Sequence, residues 1–209
     1  MKNQAIMFSV CAAAFAAANI QASIFTTEAD LQGALSTYTT VPFNLNVGLV
    51  PSPTTFGSGT YTANISGPAA TPLRNTSGVL FTASGGFGAT LTLDNFNSAV
   101  TGVGAYFFAT DGGTDVAQAG GPIAITYTDS TGSYTQTTTL AGNKPYYGFT
   151  APSGATITSV VFTGSPGYTT FNTIDNLTLG AVAVPEPSQW GLFLGGGLML
   201  FGAYRRFRK

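Results

Sequence analysis

From Ile123 to Thr128 the chain reads Ile-Ala-Ile-Thr-Tyr-Thr, a strict alternation of large apolar side chains with small or hydroxylated ones. Successive side chains of a β-strand point to opposite faces. This period of two therefore buries Ile123, Ile125 and Tyr127 and leaves Ala124, Thr126 and Thr128 wet. Asp129-Ser130-Thr131-Gly132 follows, with the residue types of a hairpin turn, and then a second β-prone run over 133–140. An isolated two-stranded hairpin is at best marginally stable in water, so the pattern calls for a larger sheet with a buried face.

The rest of the chain supplies it. Runs at 43–47, 60–66, 79–83, 89–93, 100–110, 146–150, 156–163 and 171–179 read as strands, with Gly, Pro, Asn and Asp between them. Threonine is abundant, with 32 residues, and aromatics make up 12%. Those residue types fit a pleated, half-buried surface, and they separate this chain from a disordered one despite its 7% of charged residues. The fold class is all-β, a sandwich or barrel. One short helix is expected near the start, where Thr27 precedes Asp30 by three residues, ending near Ser36. The stretches 50–53 and 67–77 read as long loops.

Missing residue types close off several chemistries. The chain has no histidine, and its one cysteine is Cys11. No imidazole base, no Ser-His-Asp triad, no His or Cys zinc site and no internal disulfide can be built. Between Ser23 and Val184 only Arg74 and Lys144 are basic, against Glu28, Asp30, Asp94, Asp111, Asp115, Asp129 and Asp175. This weakly acidic body has no electrostatic footprint for nucleic acid.

The two ends differ from the body. Lys2 followed by an apolar stretch from Ala5 to Ala18, then small residues, is the pattern of a secretory signal peptide over 1–22. Cleavage after Ala22 would remove Cys11. At the other end, Pro185 and Pro187 hold Val184, Glu186 and Ser188 in extended backbone, and Ser188 can cap a helix. Residues 190–204 are uncharged, and Arg205, Arg206, Arg208 and Lys209 follow as a cytoplasmic basic cluster. As a helix the uncharged run is about 22 Å long, short of the ~30 Å hydrocarbon core, so it reads as a marginal single transmembrane helix.

A Pro-Glu-Pro motif, an apolar helix and a terminal arginine cluster, combined with a signal peptide, resemble the PEP-CTERM sorting signal. By that resemblance 1–22 is the signal peptide, 23–183 the ectodomain and 184–209 the sorting signal. Val184, Pro185, Glu186, Pro187 and Ser188 would form the recognition and processing region. The resemblance implies a transient partnership with exosortase, a membrane-embedded transpeptidase of Gram-negative bacteria that make extracellular polysaccharide. It also implies an inner-membrane intermediate and delivery to the cell surface, outer membrane or extracellular matrix. Val100-Thr-Gly-Val-Gly-Ala-Tyr-Phe-Phe resembles a central strand of such ectodomains. Tyr147-Gly-Phe, Ile157-Thr-Ser-Val-Val-Phe and Ile174-Asp-Asn-Leu resemble the end of a jelly-roll-like antiparallel β-sandwich.

Candidate sites are few. In a regular strand Asp175 shares parity with Phe171, Leu177 and Leu179 and would point into the core. An inward carboxylate needs a bulge, loop amides or a bound calcium ion. Asp111-Gly-Gly-Thr-Asp115 offers oxygen ligands but reads as a hairpin loop. Tyr146, Tyr147 and Phe149 form either a sugar-stacking platform or core packing, and alternation favours the core for Tyr147 and Phe149. Gly86-Phe-Gly88 is a turn. No cofactor and no catalytic residue are expected. The resulting expectation is a non-enzymatic, structural or adhesive exported protein. The alternative is a carbohydrate-binding module, calcium-assisted or not, that retains extracellular polysaccharide.

Overall fold

The structure is a computed structural model that describes residues 22–43, 48–68, 71–76, 78–82, 89–97, 100–110, 116–164 and 171–183. Residues 1–21 of the expected signal peptide over 1–22, the expected hairpin loop at Asp111–Asp115, the expected turn at Gly86–Gly88 and the whole expected sorting segment over 184–209 lie outside the described residues. Among the described residues no helix is long and apolar enough to cross a membrane.

Two antiparallel sheets face each other. The first eight elements are β1 (Ser23–Phe25), helix α1 (Glu28–Ala34), β2 (Thr37–Val41), β3 (Gly48–Val50), β4 (Thr54–Ser58), β5 (Tyr61–Ser66), β6 (Leu73–Thr76) and β7 (Val79–Thr82). Then come β8 (Thr90–Asp94), β9 (Gly102–Thr110), β10 (Ala119–Asp129), β11 (Ser133–Ala141), β12 (Tyr146–Thr150), β13 (Ile157–Thr163) and β14 (Phe171–Ala181). One sheet runs β1-β12-β9-β14-β7-β6-β3, with β2 also paired to β14, and the other runs β11-β10-β13-β8-β5-β4. Within them, β12-β9-β14-β7 and β11-β10-β13-β8 are the two four-stranded halves of a jelly roll. The earlier strands widen each half.

The alternation at 123–128 behaves as expected. Ile123, Ile125 and Tyr127 are buried in the core between the sheets, and the side chains between them are half-exposed. Leu91 and Leu93 on β8 and Ala63 and Ile65 on β5 repeat the pattern. They meet Val103, Ala105, Phe107, Phe149, Ile174, Leu177 and Leu179 from the opposite sheet. Tyr127 stacks on Phe149 across the core, ring centroids 4.9 Å apart. The turn after β10 is closed by Asp129, whose Oδ1 accepts hydrogen bonds from the Thr131 amide (2.7 Å), the Gly132 amide (2.9 Å) and the Thr131 hydroxyl (2.7 Å).

Helix α1 starts where the sequence places it: the Thr27 hydroxyl caps it by accepting from the Asp30 amide at 3.2 Å. Leu31 and Leu35 face the outer side of the eight-stranded sheet and pack with Tyr146. They fit because Gly104 and Gly148 lie beneath them. A Cβ on Gly104 would stand 2.6 Å from Leu31 Cδ2 and 2.9 Å from Gly148 Cα.

Several expected boundaries are corrected. Of the strand expected at 43–47 only Phe43 is described; it lies beyond the unexpected strand β2 and takes a left-handed φ of 47°. β2 carries Thr, Tyr and Val without an apolar alternation, because half of its bonding surface is supplied by β14 and both of its faces are only partly covered. The loop expected at 67–77 contains β6, whose Asn75 is buried and donates to the Phe43 carbonyl at 2.6 Å. Buried polar residues of that kind leave no hydrophobic period to read. The loop expected at 50–53 begins with the last residue of β3, and strands β1 and β4 were not expected at all.

Candidate functional site

Strand β9 lies inside the larger sheet between β12 and β14, and its outward residues are Gly102, Gly104, Tyr106, Phe108 and Thr110. The glycine end is roofed by helix α1. Tyr106 stands at the edge of that roof and is half-buried. Directly across the ladder from it are Tyr146 on β12 and Asp175 on β14, so the three form one row over adjacent strands. The rings of Tyr106 and Tyr146 meet edge to face at 5.1 Å.

Charges converge on this row. Glu28, in the first turn of α1, accepts from Gln32 Nε2 at 2.9 Å and acts electrostatically on the Tyr106 phenol. Lys144 Nζ lies 3.9 Å from Asp175 Oδ2 and 4.8 Å from the centroid of the Phe108 ring. Burial, then Glu28, then the charge of Asp175 raise the Tyr106 pKa above 10.0. Tyr146 is held well above the same value, chiefly by burial beneath the helix. The phenols are therefore protonated at neutral pH, when they can donate hydrogen bonds as well as accept them.

Beyond the row, Phe108, Thr173 and Phe81 form a parallel one across β9, β14 and β7. Val79, Phe81 and Phe108 make a small apolar cluster on this outer face, and Phe171 joins it edge to face with Phe81 at 5.7 Å. The arrangement presents two carboxylates, an ammonium and a phenol on one face, beside the rings of Phe81, Phe108 and Tyr146, which are themselves buried. Such a set can hydrogen-bond several hydroxyls at once.

Asp175 does not point into the core. The ladder slips between Asp175 and Thr178, and Asn176 takes φ 47°, a left-handed conformation that Asn tolerates. The extra residue reverses the parity of the strand, so that Phe171, Thr173 and Asp175 face outward while Leu177 and Leu179 enter the core. The cation beside Asp175 is Lys144, and among the described residues no three metal-ligating side chains converge. Tyr147 and Phe149 are core residues, as alternation required, whereas Tyr146 lies on the opposite face of β12. Val184, Pro185, Glu186, Pro187, Ser188, Arg205, Arg206, Arg208 and Lys209 lie outside the described residues. Sequence reasoning missed Glu28, Tyr106 and Lys144 as partners of Asp175. Rarity was the available signal, since Lys144 is one of two bases between the end segments.

No protein-family model matches this chain, and no curated protein does. Among solved structures it is similar to family 29 carbohydrate-binding modules. A variant of CBM29-2 is 15% identical with a TM-score of 0.40, covering 73% of this chain and 99% of the other. A second structure described as a family 29 module is 14% identical with a TM-score of 0.40, covering 73% and 97%. CBM29_1 from Piromyces equi is 9% identical with a TM-score of 0.35, covering 68% and 90%.

Proposed function

We propose that this chain is an exported, non-enzymatic carbohydrate-binding sandwich that retains extracellular polysaccharide. In this reading the Tyr146–Tyr106–Asp175 row, with Glu28 and Lys144, is its sugar-binding surface. The observation that carries the reading is the convergence itself. Of nine charged residues between Ser23 and Val184, Glu28, Lys144 and Asp175 gather round one half-buried tyrosine beside aromatic rings. Carboxylates accept from sugar hydroxyls, the ammonium donates to them, and the phenol does either. Calcium is not required by this geometry, because Lys144 already supplies the positive charge.

A glycan array probed with the exported protein, with and without calcium, tests the reading. Binding to a defined polysaccharide class that is lost in Tyr106→Ala and Lys144→Ala is expected. Flat binding under both conditions overturns it.

Delivery follows the sorting resemblance. The signal peptide takes the chain across the inner membrane, the short helix at 190–204 holds it there, and exosortase processes it near Pro185-Glu186-Pro187. What supports this is the order of motif, apolar run and basic cluster in the sequence. Mature protein from the cell surface is expected to lack Arg205, Arg206, Arg208 and Lys209, and Glu186→Ala is expected to accumulate unprocessed in the inner membrane. Surface protein of full mass would overturn the sorting reading while leaving sugar binding untouched.

A further inference from the structure

The two sheets end in edges of very different character. β1 and β3 have three residues each, and β4 has five, preceded by Pro51 and Pro53 and containing Gly57 at φ 111°. Short edges, prolines and glycine kinks are the ordinary means of stopping a strand from pairing with another molecule. β11 has none of them. It runs nine residues, Ser-Tyr-Thr-Gln-Thr-Thr-Thr-Leu-Ala, and from Ser130 to Asn143 there is no charge and no proline. Among the described residues, β10 is its only ladder partner.

The phase of its free hydrogen bonds follows from the turn. The Asp129 amide donates to the Gly132 carbonyl at 2.9 Å, and the register runs without a slip from Thr128↔Ser133 to Pro122↔Thr139. Backbone groups alternate sides along an antiparallel strand. Tyr134, Gln136 and Thr138 therefore bond to β10, while the amides and carbonyls of Ser133, Thr135, Thr137 and Thr139 point to the open edge. Pro122, which has no amide, falls opposite Thr139 at a position that asks for none.

We propose that β11 pairs antiparallel with β11 of a second copy of this chain, joining two six-stranded sheets into one across a two-fold axis. Three observations select a second copy. The edge is uncharged over fourteen residues in a body with seven acids and two bases, so copies approach here without setting like charges against each other. Its outward side chains are hydroxylated and already pair across the ladder, Thr126 with Thr135 at 3.0 Å and Thr128 with Ser133 at 3.1 Å. A two-fold continues that pattern with like partners. The same side of the sandwich also exposes apolar surface. Ile24 is 49% exposed and lies across the ladder from Phe149, and Tyr134 is 37% exposed with its ring 5.4 Å from the same Phe149.

The test uses the full chain in mild detergent, followed by sedimentation over a range of concentrations. Thr137→Pro removes an amide that no bond within the molecule uses, and Thr137→Lys places two ammonium groups at the pairing line. Wild-type protein is expected to dimerise with rising concentration, and both variants are expected to lose the dimer while keeping the wild-type circular dichroism. Should the proline variant fail to fold, the lysine variant decides. A wild type that stays monomeric, or a folded variant that dimerises as well as wild type, overturns the proposal. Dimers held by the apolar tail segment would give that second result, because the tail is the same in every variant.

Discussion

Asp175 on β14 lies directly opposite Tyr106 on β9, and the ladder slips by one residue immediately after that pair. The slip does two things at once. It turns Leu177 and Leu179 into the core, and it leaves the Asp175 carboxylate outside with Lys144. A regular strand would have buried a charge without compensation, at a cost of several kcal/mol. One extra residue in the strand avoids that and puts a carboxylate beside a tyrosine.

Asp175→Asn is therefore expected to separate binding from stability. The Lys144–Asp175 pair is partly exposed and 3.9 Å apart, so its loss costs less than about 1 kcal/mol in a urea titration. Polysaccharide retention on an affinity gel is expected to fall markedly in the same variant. A large loss of stability would identify the pair as structural.

The helix-to-sheet contact gives a paired test on two glycines. Gly104→Ala drives a Cβ against Leu31 and the Gly148 backbone and is expected to cost about 1–3 kcal/mol. Gly33→Ala, in the exposed part of α1, meets nothing within 4 Å and is expected to stabilise by roughly 0.5–1 kcal/mol. Thermal melts of the two variants should move in opposite directions.

Asp129 anchors the hairpin that presents β11. Asp129→Ala removes three hydrogen bonds to Thr131 and Gly132 and is expected to cost about 1–3 kcal/mol. Asp129→Asn retains an acceptor oxygen and should recover part of that loss. Equal denaturation midpoints for the two variants would show that the carboxyl oxygen is not what holds the turn.

Stability should be level through neutral pH and fall in alkali. With no histidine in the chain, no imidazole titrates in the neutral range. Tyr106, Tyr127 and Tyr146 all have pKa values raised above 10.0 in the fold, first by burial. A group that binds its proton more tightly when folded contributes stability that is complete below its unfolded pKa. That contribution is lost as pH rises beyond about 10. Denaturant midpoints measured upward from pH 9, with phenolate absorbance as the parallel readout, should show unfolding and ionisation together. Tyr127→Phe should weaken the dependence.

Alternation and turn chemistry were enough to read the β class and most of the strands from β7 onward. At 123–128 and 157–163 the apolar side chains fill one core, and their spacing records which face they take. Thr27 and Asp30 likewise announce α1, because capping is local chemistry. β2 and β6 were not legible. Their stability comes from ladder partners distant in sequence, and Asn75 is buried by hydrogen bonding instead of hydrophobicity.

The sequence by itself determined an all-β body, between residues 23 and 184, that has no imidazole, thiol or disulfide chemistry. Tertiary structure decided where its few charges meet. Glu28, Tyr106, Lys144 and Asp175 are spread over nearly 150 positions. Pairing of β12, β9 and β14, with the docking of α1 on glycines, brings them to one face. The side on which Asp175 emerges depends on a single bulge, one of the ways the sequence left open for satisfying a carboxylate at that parity, and the ladder register places it after Asp175. The open edge of β11 is of the same kind. Its composition is plain in the chain, but only the strand order shows that, among the described residues, β10 alone is laid against it.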